Sequence, residues 1–117
     1  MPWSTPGSGG GGGSTVAPTT VTGPNLAYNV FNAAWTDPQP LVILCDSTVG
    51  AVTLVGPAAP VAGRQLVFKD LAGTALTNTI SFSGNGNNID GFGASLALTT
   101  NYQAYWLVYT GSKWAVI

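Results

Sequence analysis

After Pro40 the chain reads as a series of short runs with period-two character. They are "LVILC" (41–45), "AVTLV" (51–55), "QLVFK" (65–69), "NTISFS" (78–83), "ASLALT" (94–99), "QAYWLVY" (103–109) and "KWAVI" (113–117). All are rich in β-branched or aromatic residues. Successive side chains on a strand point to opposite faces, so Val52 and Leu54 share a face, as do Ile80 and Phe82, and Leu96 and Leu98. Turn signals separate the runs: "DSTVG", "GPAAPVAG", "DLAGTALTN", "SGNGNNIDGFG", "TNY" and "TGS". Close spacing with no convincing helix predicts an all-β fold, a small antiparallel module of β-sandwich type over residues 41–117. "KWAVI" carries no polar tail and is expected to end in a paired strand.

The first 23 residues have another character. "MPWSTPGSGGGGGSTVAPTTVTG" is uncharged and rich in Gly, Pro, Ser and Thr. Its glycine run would be a flexible coil, and about twenty-two such residues have a reach of about 25 Å. Residues 1–23 are therefore expected to form an extended arm, either a plain linker or a docking arm. In the second case Trp3, Val16 and Val21 would supply its apolar contacts. Residues 24–40 connect arm and module; "LAYNVFNAAW" is compatible with a strand or a short helix, and the prolines of "TDPQP" end either.

Composition narrows the function. Charged residues are 6% of the chain, with no histidine and a net charge of −1, against roughly 25% charged in ordinary soluble domains. Nucleic-acid binding lacks the required field. No run approaches the length of a membrane span, and the N-terminus lacks a signal-peptide pattern. The absence of histidine removes Ser-His-Asp triads, Cys-His pairs and imidazole metal sites. Cys45 is the only cysteine, so no intrachain disulfide forms, and within "LVILCD" it reads as a small buried residue. Neither catalytic residue, cofactor nor metal is expected. A small all-β module without disulfide or metal draws support from oligomerisation, and its sheet edges are safest when paired. A symmetric homo-oligomer is the expectation, with Trp106 and Trp114 as core or interface residues.

Asp46, Asp70 and Asp90 lie in turn segments, where aspartate caps its own backbone. "SGNGNNIDGFG" lacks the GxGxxG spacing and a following helix, and the calcium-binding nonapeptide needs tandem copies. It reads as a corner, with Gly84, Gly86, Asp90 and Gly91 as its turn residues. The crowded aromatics Tyr102, Tyr105 and Tyr109 have two readings: core and subunit interface, or a stacking platform for a host cell-surface glycan.

"ILCDSTVGAVTLVGPAAPVAGRQLVFKDLAGTALTNTISFSGNGNNIDG", followed by "NYQAYWLVYTGSKWAVI", resembles a β-module of tailed-bacteriophage virion proteins. The module occurs in tail fibres, tail spikes and capsid-surface head fibres or decoration proteins. The likeness rests on the Asp46–Gly50 turn, the Pro57–Pro60 step, Phe68–Asp70 and the closing "LVYTGSKW". It covers residues 42–117, and Gly56 departs from the bulkier apolar residue usual before "PAAP". The resemblance implies a non-enzymatic trimeric virion component, assembled in the host cytoplasm, with no cofactor and with the major capsid protein or other virion proteins as partners. An arm and one module suit a capsid-surface cement protein or head fibre better than a tail-fibre tip. A soluble carbohydrate-binding module is the remaining alternative.

Overall fold

The computed structural model describes residues 17–32 and 35–117. Nine strands appear there: β1 (Thr19–Thr22), β2 (Asn25–Asn29), β3 (Leu41–Asp46), β4 (Val52–Val55), β5 (Gln65–Asp70), β6 (Ile80–Ser83), β7 (Ser95–Ala97), β8 (Ala104–Tyr109) and β9 (Trp114–Val116). The described residues contain no helix. Each of the seven runs read from the sequence coincides with one of the strands β3 to β9 to within a few residues, so the all-β expectation holds.

The antiparallel expectation does not. One sheet has the order β1-β3-β5-β8-β9 and the other β2-β4-β6-β7. Within them β1, β3 and β5 are parallel neighbours, as are β2, β4 and β6. Only β5-β8, β8-β9 and β6-β7 are antiparallel. A parallel pair needs a crossover that returns the chain to the same end of the sheet. Here the strand of the opposite sheet is the crossover. The chain leaves β1, runs along β2 in the second sheet, and returns as β3; the same circuit gives β3-β4-β5. The first six strands are thus a short coil, and the last three fold back on it as antiparallel neighbours.

The register also corrects the boundaries drawn at residues 23 and 40. Val21 pairs with Cys45, and its side chain is 3% exposed. Thr19–Thr22 therefore belongs to the fold, and Val21 is a core residue, not an arm residue free to dock elsewhere. The connecting segment contains β2, paired with β4, and the buried Val30 follows that strand. Trp3 and Val16 lie outside the described residues.

The core fills the space between the sheets. Ile43, Cys45, Leu66, Phe68, Leu107 and Trp114 come from one side, and Val52, Leu54, Ile80, Phe82 and Leu96 from the other. Phe82 joins the layers, with its ring 6.2 Å from Phe68 and edge-on to Trp114 at 5.5 Å. Fully burying each large apolar side chain contributes roughly 1.5–3 kcal/mol. Successive circuits touch at their corners as well. A Cβ on Gly23 would lie 1.9 Å from the Gly50 carbonyl oxygen, so the corner leading to β2 rests directly on the one leading to β4.

Candidate functional site

Asp70 ends β5 with no exposed surface. Its Oδ1 accepts the N–H groups of Gly73 at 3.0 Å and Thr74 at 3.2 Å; its Oδ2 accepts those of Ala75 at 3.0 Å and Tyr102 at 2.9 Å. Burial pushes the carboxyl pKa up, but four backbone donors outweigh it and the net shift is downward. The charge is spent on holding the 71–75 turn to the loop before β8. Neighbouring turns extend this stack: the Asn78 amide donates to the Ser47 carbonyl at 2.8 Å, and the Ser47 and Thr74 hydroxyls meet at 2.7 Å. Cys45 is fully buried, and burial, reinforced by nearby Asp70, pushes its thiol up to about 12. It is an inert core residue.

The stretch from Ser83 to Gly93 is a corner with an internal staple. Asn87 donates to the carbonyls of Pro57 at 3.3 Å, Ala58 at 3.1 Å and Gly84 at 3.1 Å, while its Oδ1 accepts the Tyr109 hydroxyl at 3.2 Å. One amide thereby ties the corner to the "PAAP" step and to β8. Gly84 has no room for a side chain, since a Cβ would sit 2.0 Å from the Asn87 carbonyl oxygen. Gly86 and Gly91 have φ of 94° and 67°, which L side chains rarely adopt. Asp90 bonds Lys113 at 3.2 Å and the Val116 N–H at 3.3 Å, which pins the corner to β9. Among the described residues no group of three or more His, Cys, Asp or Glu side chains gathers around a common point.

The aromatics are separated by the two faces of β8. Tyr109 is 7% exposed, and Tyr105 packs half-buried against the core, 6.0 Å from Phe68. With Leu107 between them, they point inward. The glycan platform over Tyr102, Tyr105 and Tyr109 is therefore not formed; only Tyr102 stands at the surface, 60% exposed. Trp114 is fully buried in this chain's own core, whereas Trp106 points outward and is 37% exposed. A cleft of about 170 Å³ beside β1 and β2 involves Asn32 and Asp37. Its one carboxylate is already used, because Asp37 Oδ2 accepts the Asn32 N–H at 2.7 Å.

The outer faces of the two sheets differ in chemistry. Outward positions on the smaller sheet mix the hydroxyls of Thr53, Ser81, Ser83 and Ser95 with apolar Val55, Ala97 and the 65% exposed Leu26. The larger sheet presents Val42 and Leu44 from β3, Val67 from β5, and Trp106 and Val108 from β8, with exposed Ile117 beside Trp106. Those strands are apolar on both sides. Strands in solvated sheets alternate; continuous apolar runs belong to sheets covered on both faces. No protein-family model and no curated protein matches the sequence.

Proposed function

We propose that this chain is a non-enzymatic structural component of tailed-phage particles, a trimeric capsid decoration, cement or head-fibre protein. The major capsid protein or another virion protein is its docking partner, through residues that precede β1. The observation that carries this reading is the larger sheet, apolar inside and out in a chain with very few charges. Such a face suits a component that works while assembled. The order of turn and strand motifs from Val42 to Ile117, which resembles virion β-modules, supplies the particle. A tail-fibre or tail-spike tip is the competing location.

Imaging of purified particles tests the reading. Many copies on the capsid surface are expected. Density confined to the tail tip would select the receptor-binding alternative, and absence from particles would remove the virion assignment altogether.

A further inference from the structure

We infer that the outer face of the β1-β3-β5-β8-β9 sheet is the surface through which copies of this chain associate with one another, with Trp106 near its centre. The inference deepens the assembly reading above and rests on it for the expectation that the chain works in multiple copies.

Three features fit this face to dry burial against its own kind. Trp106 carries its polar edge already satisfied: Nε1 donates to Gln65 Oε1 at 3.0 Å within the same face. Covering the indole with apolar atoms therefore strands no donor. The face's two charges, Asp46 and Lys69, are also engaged within the chain. Asp46 Oδ1 accepts the Thr48 N–H at 3.0 Å and hydroxyl at 2.6 Å, while Lys69 Nζ donates to the Tyr102 carbonyl at 2.6 Å. Both lie toward the C-terminal ends of their strands and leave Val42, Val67, Trp106 and Val108 in an uncharged field. Removing charge from the centre and leaving it at the rim is the anatomy of a protein interface.

Area and symmetry select the occupant. Five strands about 4.8 Å apart and up to six residues long present a plan of roughly 400 Å². Mating two equal faces covers about 800 Å² in plan, and side-chain relief carries that toward the ~1,200 Å² of a specific interface. A two-fold pair mates the same self-complementary patch on both subunits, so this face can meet its own copy. A second copy brings the same uncharged surface and the same paired rim.

The test uses the full chain. Sedimentation velocity of the wild type at micromolar concentration is expected to give an oligomer. Val67→Lys and Trp106→Glu should each weaken self-association at least about 30-fold, the effect of losing one interface hot spot. Ser81→Lys, on the other sheet's outer face, should leave it unchanged. A monomeric wild type, or a folded Val67→Lys chain with undiminished association, overturns the inference. Oxidative footprinting of the wild type decides the matter if a variant misfolds. Trp106 should be protected in the oligomer and labelled on dilution, with Tyr102 labelled in both. Equal labelling of Trp106 in both states overturns it, as does protection that appears only on phage particles. Self-association through this face without particle binding would uphold the inference and sink only the virion assignment.

Discussion

At the scale of single residues, most polar side chains of this fold serve the backbone. Asp70 shows how far that goes, because a fully buried carboxylate is held by four N–H groups and by no cation. Asparagine at this position has one acceptor oxygen, and its amide hydrogens would face donors. Asp70→Asn is expected to destabilise the fold by about 3 kcal/mol, seen as a lower denaturant midpoint at neutral pH. "FKD" followed by "AGT" made the turn role of Asp70 legible from residue type. Its burial was not, because the fourth donor, Tyr102, arrives from 32 residues away. Asn87 escaped notice for the same reason. Its partners Pro57 and Ala58 are brought to it by the coil, and Tyr109 by the strands that fold back on it.

At the scale of elements, local period-two patterning located β3 to β9 well, since each of those strands keeps one side in the core. It was silent on which strands are neighbours. Antiparallel pairing was the expectation, yet a strand in the facing sheet supplies the crossover that parallel neighbours need. A trace of the coil is present in the sequence: "VTLVG" (52–56) and "ISFSG" (80–84) repeat apolar, hydroxyl, apolar, any, Gly. These segments pair in register, Val52 with Ile80 and Leu54 with Phe82. β1 was missed because Thr19–Thr22 looks like the arm it follows, with Val21 as its only buried side chain. Its place predicts a sharp difference between truncations. Deleting residues 2–16 should leave circular dichroism and the thermal midpoint intact. Deleting 1–23 should lower the midpoint markedly, because it strips the edge from β3 and uncovers Ile43 and Cys45. At the corner that follows, Gly23→Ala sets a methyl against the Gly50 carbonyl. A cost of about 1–3 kcal/mol is expected, as in other overpacked sites, without change of secondary structure.

The whole molecule is two sheets around one core, with three of its four aspartates engaged in turns and strand ends. Its response to pH follows from that arrangement. The carboxyls of Asp46, Asp70 and Asp90 all lie below their ordinary value. For Asp46 the cause is the Thr48 hydroxyl and N–H; for Asp90 it is the Val116 N–H and Lys113. In each case the unfolded chain holds the proton more tightly, so between the folded and unfolded pKa values it binds more protons than the fold does. Stability then rises with pH through that window. The contribution is fully present above the unfolded value of about 4 and is lost as pH falls through the lowered folded values. At the alkaline end Cys45 acts in the opposite sense. Its thiol is raised from 9.0 to about 12 in the fold, so the unfolded chain loses its proton first and stability declines above about pH 9. With no histidine in the sequence, no imidazole titrates between these limits. Urea midpoints measured from pH 2 to 10 should therefore form a plateau from about pH 5 to 8.5, falling on both sides. Cys45→Ala should flatten the alkaline limb, and Asp70→Asn should shorten the acid limb while lowering the plateau. An acid limb of unchanged amplitude in Asp70→Asn would show that the buried carboxylate does not couple folding to protons as its four hydrogen bonds require.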